Sequence, residues 1–242
     1  MANRPRHWTA KVPMELDIQK APARFEAESW IVGQAVSARA ALELLKYRAD
    51  PATPAPDGAS KPWPEFAEYD CFACHHDLHD ESWRQERGRL KPGSLRRSDW
   101  YTVMPAQLAE HWGDQQVKQV PTALQELTQR MAKPSFQRRA IADLAGTIAG
   151  QLGPSSTGQL PKDPGTLLPP LIADYQQRKT PSWDEAAQLY LAAAALKREE
   201  AFQQTIAQMA DALAYKPGYD SPKNYQPRGR FDELLKVFAK PP

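Results

Sequence analysis

The amino-acid sequence predicts an all-α fold, because apolar residues recur at helical spacing in several long segments and no segment alternates as a strand does. Prolines are frequent, with 23 in 242 residues, and many stand between the segments with helical spacing. Hydrophobic residues make up 41% of the chain, which is enough for a packed core. We therefore expect compact helices joined by proline-marked connections.

The amino-terminal region, residues 1–98, is predicted to contain a long first helix. Apolar residues between Phe25 and Leu45 recur mostly three or four positions apart, as on a helix with one apolar face. Pro51 ends the pattern, because proline does not continue a helix. The predicted helix covers residues 24–49.

A connector and a second helix are predicted to complete this region. Residues 51–64 hold five prolines together with Gly58 and Ser60, which predicts an extended, solvated connector. Residues 65–89 contain few helix breakers and many helix formers. We predict helical or turn-like backbone there.

The carboxy-terminal region, residues 99–242, is predicted to form a helical bundle. Its predicted helices cover residues 105–120, 121–132, 136–152, 182–214 and 231–239, and residues 154–170 are predicted to form a loop. Ser182 and Glu185 match a capping box, in which each residue satisfies a backbone N–H of the other at the start of a helix.

The charge balance and composition exclude several classes of function. Lysine and arginine number 31 against 29 acidic residues, and this net charge of +2 argues against a nucleic-acid groove or a polybasic membrane patch. No apolar run approaches the ~18 residues needed to cross a bilayer, so we expect no membrane span. We find neither a nucleophile with its base nor a phosphate-binding glycine loop, so an enzyme active site within the chain is not expected.

The two cysteines carry the chemistry of the chain. Cys71, Cys74 and His75 form the pattern C-x-x-C-H, which is typical of c-type haem attachment. Two thiols at this spacing can add to the two vinyl groups on one edge of a porphyrin, and the adjacent histidine is then held beneath the iron. The sequence predicts haem c, with Cys71 and Cys74 as covalent anchors and His75 as the proximal iron ligand.

Two other uses of the cysteines remain open. Cys71 and Cys74 could bind zinc together with His76 and His79 in a helical interaction protein, but these four residues lie within nine positions. Structural zinc sites usually take their two ligand pairs from segments roughly a dozen residues apart, so the spacing favours haem. A thioredoxin-like redox pair would need a βαβ context, which the sequence does not indicate.

The residues around the motif resemble a known family. The run W-P-E-F-A-E-Y-D-C-F-A-C-H-H-D-L at 63–78, followed by S-W-R at 82–84, resembles the carboxy-terminal haem region of large multihaem c-type cytochromes. This family is related in plan to the tetrahaem cytochromes that accept electrons from hydroxylamine oxidoreductase. An R-H-W segment at 6–8 and the long helix after it are similar to family features, and the resemblance extends over about residues 5–97.

The resemblance implies one-electron transfer through the last haem of a longer multihaem cytochrome. Redox partner proteins, or upstream haem domains of the same chain, would be its partners. Haem c is attached outside the bacterial cytoplasm, so we expect a periplasmic or otherwise extracytoplasmic location and a chain that is the carboxy-terminal part of a longer exported protein. A relay haem within a multihaem oxidoreductase, with the active site upstream, is an alternative.

The sixth ligand of the iron is predicted from position alone. His7 is the first candidate, because it lies within the resemblance and the chain leading into the long helix can carry it over the haem. Met104 and His111 are further candidates, on a segment that can fold back over the ring, and methionine ligation would raise the reduction potential. His76 and His79 follow the proximal ligand too closely to reach the opposite face.

Aromatic and basic residues around the motif have predicted roles of their own. Large apolar surfaces suited to packing on a porphyrin come from Trp63, Phe66, Tyr69, Phe72 and Trp83. A basic run follows and is expected to be mostly solvated surface, with haem propionates or an acidic redox partner as alternative contacts: Arg84, Arg87, Arg89, Lys91, Arg96 and Arg97.

Overall fold

A computed structural model of the chain describes residues 22–70, 96–111, 117–133, 137–153, 163–178, 181–197, 199–214 and 229–238. Within these residues the chain is mostly helical and contains no strand, which confirms the predicted all-α fold. In the same part of the chain, no helix is long and apolar enough to pass through a lipid bilayer.

The described residues form eight α-helices. They are α1 (Pro22–Ala49), α2 (Val103–Leu108), α3 (Val120–Met131), α4 (Arg138–Gln151), α5 (Leu168–Gln177), α6 (Trp183–Leu196), α7 (Glu200–Leu213) and α8 (Arg230–Leu235). Four short 3₁₀ helices lie between them: Phe66–Glu68, Ala109–His111, Val117–Gln119 and Pro164–Leu167.

Helix α1 is the longest element, and it packs along α4 and against α6. Its buried positions recur three or four residues apart, which places them on one face of the helix: Ala27, Ile31, Ala35, Ala38, Leu42, Leu45 and Ala49. Several of these side chains are alanines, so the neighbouring helices can approach closely. The same hydrophobic core continues through α2 to α8, across the predicted boundary at residue 98.

The carboxyl end of α1 is held by cationic side chains. Arg138 donates hydrogen bonds from Nε to the Ala49 carbonyl at 2.9 Å and from Nη2 to the Arg48 carbonyl at 3.1 Å. Lys61 donates to the carbonyl oxygen of Tyr47. Cations stabilise this end of a helix because its last carbonyls lack partners and carry the negative end of the helix dipole.

The connector over residues 51–64 differs from its prediction. It lacks regular structure, as expected, but its last part is packed on the fold. Lys61 is buried, and Trp63 lies 5.6 Å from the guanidinium of Arg138 in a cation–π contact. The prediction of a fully solvated connector was therefore wrong at this end, because contacts with α1 and α4 outweigh the polar composition.

Two helices of the bundle begin or end where the sequence did not indicate. The predicted loop over 154–170 includes the start of α5, whose Pro169 and Pro170 occupy the first turn, where the backbone needs no N–H donor. The single helix predicted over 182–214 is divided into α6 and α7, and α7 packs back against α6. Because the chain turns between them, α6 and α7 can each bury one face in the contact with the other.

The predicted capping box at the start of α6 is confirmed. The Ser182 hydroxyl accepts a hydrogen bond from the Glu185 backbone N–H at 2.9 Å, and the Glu185 carboxylate accepts the Ser182 backbone N–H in return. Arg178 also pairs with the Glu185 carboxylate. The start of α6 is thereby fixed against the end of α5.

Candidate functional site

The predicted haem segment leaves the described fold at a paired neck, which we define as residues 68–70 and 96–98. The Asp70 backbone N–H donates to the Arg96 carbonyl at 2.8 Å, and the Ser98 N–H donates to the Glu68 carbonyl at 3.0 Å. These bonds surround an antiparallel bridge between Tyr69 and Arg97. Cys71 directly follows Asp70, so the first predicted haem anchor is attached to this bridge.

The backbone before the motif is not α-helical. Residues Phe66–Glu68 form a 3₁₀ helix, and Tyr69 is extended, with φ −107° and ψ 155°. The 3₁₀ turn agrees with the helical or turn-like backbone predicted from residue 65, whereas the extended backbone at Tyr69 departs from it, because the pairing with residues 96–98 requires extended backbone. The rest of that prediction, residues 71–89, lies outside the described residues.

Tyr69 ties the neck to the hydrophobic core. Its ring is buried, and its hydroxyl donates to the backbone carbonyl of Met131 at 3.2 Å, at the end of α3. Burial raises the pKa of Tyr69 to about 12, and the neighbouring Glu68 carboxylate contributes to the rise. The hydroxyl therefore stays protonated in the folded protein well above neutral pH.

Arg97 forms a buried polar cluster on the returning side of the neck. Its Nη2 atom donates to Asp99 Oδ1 at 2.9 Å and to Thr102 Oγ1 at 2.8 Å, and its side chain is only 8% exposed. Arg96 donates to the other oxygen of Asp99 at 3.2 Å. These two arginines depart from the solvated surface expected for most of the basic run, because Asp99 gives both a charged partner.

The charge of Arg96 is reinforced by its surroundings. Burial lowers the pKa of Arg96, but the carboxylates of Asp99, Glu185 and Asp70 outweigh that effect, so its pKa is raised above the ordinary arginine value. Arg96 therefore remains a fixed cation beside the neck. Its carbonyl oxygen is the one that holds Asp70.

A groove with a volume of about 500 Å³ opens between α1 and the neck. One wall is a face of α1, made of Ser37, Ala40, Ala41, Leu44, Leu45 and Arg48. The other wall includes Glu68, Arg97 and Tyr101. This volume lies within the roughly 300–1,000 Å³ that is typical of ligand and cofactor sites.

The groove is charged at the neck and apolar along α1. Arg48 Nη1 lies 2.6 Å from Glu68 Oε1, and both side chains are partly exposed. Leu44 and Tyr101 border the groove and are 45% and 52% exposed, which is high for large hydrophobic side chains. The arrangement could bind a flat apolar group that carries charge at one part of its edge.

Only two of the predicted iron ligands, Met104 and His111, lie among the described residues. Cys71, Cys74, His75 and His7 lie outside the described residues, and so do His76 and His79 of the zinc alternative. Met104 is fully buried in α2, whereas His111 is exposed at the end of a 3₁₀ helix. Elsewhere in the described ranges, no group of three or more His, Cys, Asp or Glu residues is placed to hold a metal ion.

Helix α2 also contains a buried amide, Gln107, which lies in the sequence between Met104 and His111. Gln107 is 4% exposed, and neither its Nε2 nor its Oε1 atom has a hydrogen-bond partner within the part of the chain that the structure describes. Buried amides are nearly always paired, so the partner of this one is a water or lies outside the part of the chain that the structure describes.

The aromatic residues predicted to pack on a porphyrin have different roles in the described fold. Tyr69 points into the core and Trp63 packs against Arg138, whereas Phe66 is 67% exposed. Phe72 and Trp83 lie outside the described residues. Sequence reasoning missed Arg48 and Glu68. The second face of α1, where Ala40 and Leu44 lie one turn apart, was a signal for Arg48 alone.

Comparison with known proteins finds no relative of this chain. No protein-family model, no curated protein and no solved structure matches it.

Proposed function

We propose that the chain binds one haem c through Cys71 and Cys74, with His75 as the proximal ligand, and transfers single electrons. The observation that carries this proposal is the motif C-x-x-C-H, which uses both cysteines of a 242-residue chain. By its resemblance to multihaem c-type cytochromes, the chain is proposed to act as a relay between redox partners or upstream haems.

The geometry of the neck supports the proposal. A covalently attached cofactor is positioned accurately only if its anchors start from rigid backbone. Two backbone hydrogen bonds, the buried Tyr69 ring and the buried Arg97 cluster fix the residues on both sides of residues 71–95. The residue before Cys71 is therefore held in place by long-range contacts.

The haem and the protein chain would contribute different parts of the proposed function. Haem, when bound, supplies an iron that changes between the ferrous and ferric states. The chain holds the thioether bonds and the iron ligands, and its apolar surfaces exclude water, which helps to set the reduction potential. His7 remains the first candidate for the distal ligand, with Met104 and His111 as alternatives.

The proposed location is the periplasm or another extracytoplasmic compartment, because haem c is attached there. This location determines how the test must be done. The chain should be fused to an export signal and produced in a bacterial strain that contains cytochrome c maturation proteins.

The test is a pyridine haemochrome spectrum with a metal analysis of the same sample. We expect the spectrum of a haem bound by two thioether bonds in the wild-type chain and none in the Cys71→Ala/Cys74→Ala variant. The control is Ser29→Ala, which changes an exposed residue of α1, leaves the motif intact and should retain covalent haem. A colourless protein that binds one zinc ion, made beside a known c-type cytochrome that matures normally, would instead support the zinc alternative.

Spectroscopy of the exported protein distinguishes a relay from a catalytic haem. A relay needs no open coordination position, so we expect a six-coordinate, low-spin iron by electron paramagnetic resonance. A five-coordinate, high-spin iron that binds small ligands would favour the oxidoreductase alternative. Methionine ligation would be recognised by a sulfur-to-iron charge-transfer band that is lost in the Met104→Ala variant.

A further inference from the structure

We draw no further inference here: the strongest candidate, the groove between α1 and the neck, carries none because its described lining includes no predicted iron ligand and nothing in the structure shows what covers it.

Discussion

Asp99 is the residue on which the returning side of the neck depends. Its two carboxylate oxygens accept hydrogen bonds from Arg96 and Arg97, and Arg97 is buried. Without this carboxylate, a buried guanidinium would keep its charge but lose its charged partner. A cation in that position is costly, because it has already given up most of its hydration.

We predict that Asp99→Ala lowers the free energy of unfolding by about 2–3 kcal/mol, because it leaves the Arg97 charge poorly compensated. Urea denaturation followed by circular dichroism measures the change. The control is Asp143→Ala, because Asp143 pairs with the exposed Arg139 and an exposed pair contributes about 0.5 kcal/mol or less. Equal effects in the two variants would contradict the buried role of Arg97.

Tyr69 makes the stability of the folded protein depend on pH. Its pKa is raised from the ordinary value of 10 to about 12 in the folded protein, mainly by burial. Below both values the residue is protonated whether the chain is folded or not. Between them the unfolded chain binds fewer protons than the folded one, so stability falls as pH rises through this interval.

The prediction concerns the difference in stability between the wild-type chain and Tyr69→Phe. Near pH 8 the wild type should be more stable by about 1 kcal/mol, because the variant loses the hydrogen bond to the Met131 carbonyl. As the pH rises from about 10 towards 12, this difference should shrink. Urea denaturation across this range measures it, and a difference that stays constant would show that the Tyr69 pKa is ordinary.

At the scale of the element, the start of α6 is the best-defined helix terminus. Ser182→Ala removes the hydroxyl that accepts the Glu185 N–H, so we expect a loss of about 1 kcal/mol in unfolding free energy. Ser29→Ala is the control, because Ser29 is exposed within α1, where alanine is a good helix former. The midpoint temperature of thermal denaturation should be clearly lower for Ser182→Ala than for Ser29→Ala. The reverse order would exclude the capping role of Ser182.

Helix α4 contains a glycine that lies against α1. A Cβ atom at Gly146 would come within 3.0–3.3 Å of the outer carbons and Nζ of the Lys46 side chain, which is exposed and able to move. We therefore expect Gly146→Ala to stabilise the protein by about 0.5–1 kcal/mol, since alanine favours the helix. Gly150→Ala is the control, because no atom lies within 4 Å of its added Cβ. Destabilisation by Gly146→Ala alone would show that Lys46 cannot move.

The sequence predicted the elements that local spacing and capping determine. The helix predicted over 24–49 lies within α1, since its apolar residues face one core. The break between α6 and α7 has neither proline nor glycine and follows from the packing of α7 against α6, which is a long-range contact. The backbone before Cys71 was mispredicted for a related reason, because residues 96–98 impose extended pairing on it.

At the scale of the whole molecule, one hydrophobic core joins α1 to the bundle. Buried residues from Ala27 to Phe238 belong to a single cluster, and α1 packs along α4 and α6. The neck, the groove and the core therefore form a connected structure. Helix α1 contributes one face to the core and another to the groove.

Of the candidate site, the motif can be predicted from the sequence and the groove cannot. The motif of Cys71, Cys74 and His75 is local, so its chemistry follows from spacing alone. The groove requires α1, residues 67–68 and residues 97–102 to meet, and the residues that line it lie up to 65 positions apart in the chain, from 37 to 102. No local sequence pattern predicts that these segments come into contact.

The most direct test of the account is peptide mapping of the exported protein by tandem mass spectrometry. We predict that the proteolytic peptide containing residues 71–75 carries the mass of one haem, bound to both thiols, and that no other peptide does. The same peptide recovered unmodified, from cells that attach haem to a known c-type cytochrome, would contradict the central claim.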